Sequence, residues 1–156
     1  MVTRRREVAG AALESALSYR LDLLHRLSDR RSQHAYSELV DLPMSQGRAL
    51  AAVGAFEPLS VNDLARHANL DKAQASRAAQ ALVELALVRK RSDAADARAV
   101  QLTLTAKGRR RWHRVMTLIH LRNLDLFACL TASERKLFGT LLDRLIAQAR
   151  IDESSA

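Results

Sequence analysis

The sequence predicts a mainly α-helical protein interrupted by one small β-hairpin. Three observations lead there. Apolar residues recur at steps of three and four over most of the 156 residues, as one face of a helix requires. A single stretch, from Val88 to Thr105, changes to a period of two. Hydrophobic residues make up 48% of the chain, enough to bury a real core in one domain of this length.

The elements follow in order. Over residues 8 to 28, Leu13, Leu17, Leu21, Leu24 and Leu27 fall on one helical face. Ser32 to Asp41 is polar and reads as partly helical or loop. Pro43 suits a helix start, and Met44 to Phe56 follows as a short helix that Pro58 closes off. In "SVND", Ser60 caps the next helix and Asp63 reaches back, a capping box; that helix runs to about Ala68. "NLD" breaks the chain, with Asp71 as the next N-cap. An alanine-rich helix then runs from Lys72 to Leu87, with Ala75, Ala79, Leu82 and Leu85 or Ala86 inward. Val88 begins one strand, residues from Ser92 to about Ala97 form a hairpin tip, and Val100, Leu102 and Leu104 point one way in the second strand. From Ala106 the pattern is helical again, with Trp112, Val115, Met116, Ile119 and Leu126 or Phe127 apolar. "TASE" (Thr131 to Glu134) is a second capping box. It opens a last helix bearing Leu137, Leu141, Leu142, Leu145 and Ile146, and the final "DESSA" reads as frayed.

The net charge is +8, and its placement matters more than its size. Ser60 to Arg114 holds 12 Lys/Arg against 5 Asp/Glu, a net of +7, and the rest of the chain holds 13 against 12. A localised basic segment is the footprint of a polyanion partner. Arginine makes up 21 of the 25 basic residues, which a GC-rich genome would favour, but such a bias does not cluster charge. The N-terminal "MVTRRREVAGAAL" looks like a signal peptide until its apolar part stops at Glu14, too short for an h-region. No apolar run reaches membrane-span length. The single cysteine, Cys129, excludes an internal disulfide framework and fits a reducing compartment. A cytoplasmic protein is expected.

Helix, break, helix and basic hairpin in that order make a helix-turn-helix followed by a β-wing. A helix fits the major groove of B-DNA, and its first polar residues reach base edges. A hairpin arginine suits the negative potential of a narrow minor groove. From about Leu42 to Gly108 the sequence resembles a MarR-type winged helix-turn-helix regulator. The resemblance is carried by "LPMSQGRAL", "LSVNDLARHANLDKAQASRAAQALVELALV" and above all "DAADARAVQLTLTAKG". The last has the family's wing signature, Asp-x-Arg, an alternating strand ending in Leu-Thr, then Gly.

The resemblance covers nearly the whole chain, as a single domain 1–156. It implies a DNA-binding lobe at about 42–108 and dimerisation helices at about 8–41 and 109–150. It makes Lys72 to Leu87 the recognition helix, with Gln74, Ser76, Arg77 and Gln80 facing the major groove. Lys72, Arg89, Lys90 and Arg91 would neutralise phosphates. Arg98 would be the wing-tip arginine, held by a charge-assisted bond from Asp96. A solvated helix face and a plain hairpin-tip ion pair are the competing readings of these residues. The expected protein is a homodimer that binds double-stranded, pseudo-palindromic DNA and regulates transcription, by default as a repressor released by a small ligand. The alternative is a sequence-neutral architectural DNA-binding protein.

Two positions depart from the family pattern. Ala86 stands where a glycine usually precedes the Leu-Val entering the wing, so that turn must close without one. Gly47 stands where a bulky residue is common. Either it widens an effector pocket lined by Arg20, His34, Met44 and Arg48, suited to an anionic aromatic ligand, or it permits a close helix contact. His113 and His120 share a helix face with Cys129 further on, too sparse for a metal site, and Cys129 reads as a buried, inert thiol. Arg4 to Arg6 reads as an arm, and Arg109 to Arg111 as a solvated face with one or two phosphate contacts. No phosphate-binding glycine loop, His-Glu-x-x-His pattern or nucleophile elbow is present, so no enzyme, cofactor or metal is expected.

Overall fold

The computed structural model describes residues 12–92 and 100–154. Its elements are α1 (Leu17–Val40), α2 (Met44–Phe56), α3 (Val61–Ala68), α4 (Lys72–Glu84), β1 (Val88–Ser92), β2 (Val100–Leu104), α5 (Ala106–Leu126) and α6 (Ala132–Ser154). The described residues up to Ile119 make one compact unit and those from His120 onward a second. Among the described residues no helix is long and apolar enough to cross a membrane.

α1 is longer than the polar stretch Ser32 to Asp41 suggested, because that stretch is helical as far as Val40. Ser32, Tyr36 and Val40, four apart, form a buried face that periodicity in leucine alone does not reveal. The leucines before it stay outside: Leu17 is 74% exposed and Leu27 52%. α1 stops at Asp41, which takes the left-handed conformation at φ 52°. Two side chains of α5 hold its last carbonyls, Arg114 donating to Leu39 O at 2.5 Å and Arg111 to Val40 O. A guanidinium there meets both the unsatisfied acceptors and the negative end of the helix dipole.

Met44 to Phe56 is helical as expected. α2 forms the centre of the first unit, packing on α1, α3, α4 and β2, with Ala49, Leu50 and Val53 inaccessible to solvent. Both capping boxes are present. Ser60 Oγ accepts from the Asp63 N–H at 3.1 Å, and the Thr131 N–H donates to Glu134 at 2.7 Å. The Ser60 hydroxyl, and next Arg66, hold the Asp63 carboxyl below its ordinary range, and the Thr131 backbone N–H does the same for Glu134. A depressed carboxyl pKa adds stability above the ordinary value, and that contribution is lost as pH falls through the folded value.

α4 ends three residues earlier than expected, at Glu84, and its C-terminus explains how the turn closes without glycine. Ala86 adopts φ 54°. The Ala86 N–H donates to Val83 O and the Leu87 N–H to Leu82 O, both at 2.9 Å, the paired bonds of a Schellman motif. The apolar contact that accompanies such a motif falls to Leu87 and Leu82, both buried, while Leu85 and Ala86, expected inward, are exposed. β1 and β2 pair antiparallel with Val88 opposite Leu104 and Lys90 opposite Leu102. Leu102 and Leu104 anchor the hairpin, but Val100, expected to join them, pairs with Ser92 at the far end of the strands and is 40% exposed. A third strand segment, one residue long, was not foreseen: Leu59 pairs with Leu102.

Thr105 and Gly108 join the hairpin to α5. The Thr105 N–H donates to Leu87 O at 3.0 Å, its hydroxyl donates to Ala86 O at 2.7 Å, and the same hydroxyl oxygen accepts from the Gly108 N–H at 2.9 Å. A Cβ on Gly108 would lie 1.8 Å from the Leu87 carbonyl oxygen, so the Leu-Thr-x-x-Gly spacing encodes a close backbone approach. In α5 the buried residues are Gly108, Val115 and Leu118, whereas Met116 is exposed. Cys129 lies in the turn after α5 and is exposed, not buried within a helix. α6 continues helical through Ser154, past the point expected to fray.

Ala86 carries the cost of a left-handed L-residue, about 1–2 kcal/mol, partly offset by the extra freedom glycine has when unfolded. Ala86→Gly should therefore raise stability by about 1 kcal/mol, read as a higher denaturation midpoint at unchanged slope. An unchanged or lower midpoint would mean that the turn is unstrained.

Candidate nucleic-acid interface

α3 and α4 are joined by three residues. Asn69 is left-handed at φ 51°, and the Asn69 and Leu70 N–H groups donate to Arg66 O and Ala65 O, so α3 closes as α4 does. Asp71 immediately opens α4, its Oδ1 accepting from the Gln74 N–H at 2.7 Å. Ala75, Ala78 and Ala79 are buried, and such small side chains let the α4 backbone lie close against α2 and α3. The opposite face, with Lys72, Gln74, Ser76, Arg77 and Gln80, is exposed. This is a helix-turn-helix with a polar, solvent-facing second helix, the arrangement that enters a major groove.

The structure separates roles that the sequence grouped together. Gln74 is also part of a cap: its Oε1 accepts from the Asp71 N–H at 3.3 Å, which leaves its amide N–H groups as the free donors. Gln80 is engaged at both ends, accepting from Lys90 Nζ at 2.9 Å and donating to Glu84 at 3.0 Å. Ser76 and Arg77 project from the N-terminal half of α4 and stand exposed. On β1, strand alternation puts Arg89 and Arg91 on one face and Lys90 with Val88 on the other. Arg89 Nε donates to Thr103 Oγ1 at 3.0 Å across the hairpin. Asp96 and Arg98 lie outside the described residues.

The basic excess of Ser60 to Arg114 also divides. Arg66 pairs with Asp63, Arg109 with Glu57, and Arg111 with Asp41 at 3.8 Å. Arg114 binds Leu39 O, and Lys107 Nζ donates to Leu85 O at 2.9 Å. These five cations are tied to the protein itself, which revises the reading of Arg109 to Arg111 as a solvated face for two of its members. Glu57, only 17% exposed at its side chain, also accepts from the Leu104 N–H at 2.5 Å. Lys72, Arg77, Arg89 and Arg91 remain exposed on α4 and β1, a positive surface shared by helix and hairpin.

Of the two readings of Gly47, the geometry favours the close helix contact. A Cβ on Gly47 would lie 2.3 Å from the Tyr36 ring, so this glycine serves a close contact between α1 and α2. Of the other residues expected to line a pocket there, Arg20 donates to Glu14 O, exposed His34 pairs with Glu38 at 3.1 Å, and Met44 packs against the core. Arg48 faces a cleft. That cleft, of about 640 Å³, is lined among others by His25, Arg48, Phe56, His67 and Met116. Arg48 pairs with Asp29 at 2.8 Å, and the Phe56 and His67 rings stack with centroids 4.0 Å apart. Sequence periodicity did not single out His25, Phe56 or His67, since each lies on a different helix. Among the described residues no three His, Cys, Asp or Glu side chains cluster as metal ligands would.

The MarR family model matches residues 40–99. No curated protein matches the chain. Among solved structures, the chain is similar to a MarR family transcriptional regulator from Silicibacter pomeroyi, with a TM-score of 0.78 at 24% identity over 90% of this chain and 94% of that one. It is similar to a MarR family protein of Mycobacterium tuberculosis in complex with p-aminosalicylic acid (0.69, 24%, 84% and 98%). It is also similar to the PcaV transcriptional regulator from Streptomyces coelicolor in complex with its natural ligand (0.70, 24%, 88% and 96%). At these identities the likeness establishes a shared fold.

Gln74→Glu keeps an acceptor for the Asp71 N–H while removing the amide donors and adding negative charge. Unfolding stability should stay within about 0.5 kcal/mol of the parent, whereas affinity for duplex DNA should fall about tenfold or more. Undiminished binding would remove Gln74 from the interface.

Proposed function

We propose that this chain, similar over residues 40–99 to the MarR family model and alike in fold to MarR family regulators, is a homodimeric, cytoplasmic transcription regulator that binds a pseudo-palindromic operator and represses by blocking promoter access. The observation that carries the reading is the exposed polar face of α4 beside the basic β1 strand. In this reading Ser76, Arg77 and the Gln74 amide meet base edges. Lys72, Arg89 and Arg91 meet phosphates, and Arg98, braced by Asp96, enters the adjacent minor groove. The leucine face of α1 and the face of α6 with Leu137, Leu141 and Leu145 are exposed in the single chain, and a second copy would cover them. Two-fold symmetry then sets half-sites about 10 bp apart, centre to centre.

The releasing signal is a small anionic aromatic molecule held in the cleft of Arg48. Its carboxylate would compete with Asp29 for the guanidinium, and its ring would lie against Phe56 and His67. The complexes of the mycobacterial protein with p-aminosalicylic acid and with salicylic acid support this ligand class. Salicylate calorimetry should show affinity at least tenfold lower for Arg48→Met, by loss of a charge-assisted bond; equal affinity would exclude this cleft.

Competition between a duplex selected from a random pool and unselected DNA tests the main reading. A regulator should prefer its selected duplex by roughly 10³ or more, and Arg98→Ala should weaken binding to every duplex and flatten the salt dependence. A ratio near one would favour a sequence-neutral architectural protein, and an Arg98→Ala variant that bound normally at all salt concentrations would refute the wing assignment.

A further inference from the structure

Lys90 and Gln80 belong to different elements, and each has the residue type expected of a DNA contact. Their geometry assigns them elsewhere. Lys90 lies on the face of β1 opposite to Arg89 and Arg91, in register with the buried Leu102. That face turns toward α4, and Lys90 Nζ reaches Gln80 Oε1 at 2.9 Å. Gln80 Nε2 in turn donates to Glu84 Oε1 at 3.0 Å, one helical turn further on. Ammonium, amide and carboxylate thus form a chain from the hairpin to the last turn of α4. An amide suits the middle place, since it offers an acceptor to the cation and a donor to the anion.

Two further features agree. Gln80 is in the C-terminal half of α4, whereas recognition helices read bases chiefly with their N-terminal residues. A glutamine that recognises adenine needs both its oxygen and its nitrogen, and here both are engaged. Glu84 is, moreover, an acid on the α4 surface of a basic lobe, and its partner is the Gln80 amide that also holds Lys90.

We propose that Gln80, Glu84 and Lys90 form a strut that sets the angle between the recognition helix and the wing, so that Gln80 and Lys90 are positioning residues and not DNA contacts. The proposal rests on the DNA-binding reading for its consequence, and on the protein alone for its geometry. The strut keeps the hairpin's reach in step with α4, so its loss weakens all duplexes alike. A base contact, by contrast, would relax preference at one position.

Two measurements test it. The first needs no DNA: amide hydrogen exchange of residues 88–92 and 100–104 in the full chain. Exchange should quicken about threefold or more in Gln80→Ala and in Lys90→Glu. It should return to the parent rate in the charge swap Glu84→Lys/Lys90→Glu, because the glutamine amide can turn over and serve the reversed charges. A swap that exchanges as fast as Lys90→Glu alone would overturn the strut. The second is binding to the selected duplex and its single base-pair substitutions. Gln80→Ala should lose affinity by one common factor, about three- to tenfold, and should lose less than the product of the separate effects when combined with Arg98→Ala. Relaxed preference at one base pair, with full additivity, would make Gln80 a base reader and overturn the proposal. Failure of the parent protein to bind any duplex would sink the DNA-binding reading while the exchange result still decides the strut.

Discussion

The carbonyl group of Leu87 is the point on which the winged helix-turn-helix lobe depends. It accepts from the Thr105 N–H and lies so close to Gly108 that no side chain fits there. One residue earlier, the Ala86 carbonyl takes the Thr105 hydroxyl. Three elements therefore meet in a few ångströms: the end of α4, the base of the hairpin and the start of α5. The buried Leu82 and Leu87 close the junction from inside. Any shift in this turn, where Ala86 is left-handed, would move α4 and the hairpin against each other.

Charge in this protein does two different kinds of work. Arg109, Arg111 and Arg114 leave α5 to bind Glu57 and the last carbonyls of α1. In a half-buried setting such contacts satisfy acceptors that would otherwise be desolvated without a partner. Lys72, Arg77, Arg89 and Arg91, in contrast, stand out from the surface, where a polyanion can displace their counterions. A sum of charges along the chain does not tell these apart. The +7 of one segment overstates how much of that charge faces outward.

The cleft and Gly47 make a related point about space. A missing side chain suggested a cavity, yet the Tyr36 ring from α1 fills that space, and the open volume lies further along α2, around Arg48 and Phe56. Close packing is the rule in protein interiors, so a buried helical glycine more often admits a neighbour than leaves a void.

Much of the fold was legible in the sequence. The bounds of α2, both capping boxes, the Asn69–Asp71 break and the change to period two at Val88 all depend on residues within about four positions of one another, where backbone geometry leaves few choices. For the same reason Lys72, Ser76 and Arg77 could be placed on the outer face of α4. The single-residue pairing of Leu59 with Leu102 has no periodicity to read. The internal engagement of Gln80, Lys90 and Arg109, and the occupant beside Gly47, depend on partners brought near by folding; Glu57 and Arg109 are 52 positions apart, and Arg114 and Leu39 are 75 apart. Local sequence determined which elements form and which faces are polar. Tertiary structure alone decided which polar groups remain free for a partner, because that depends on which distant donors and acceptors the packed elements bring within hydrogen-bonding distance.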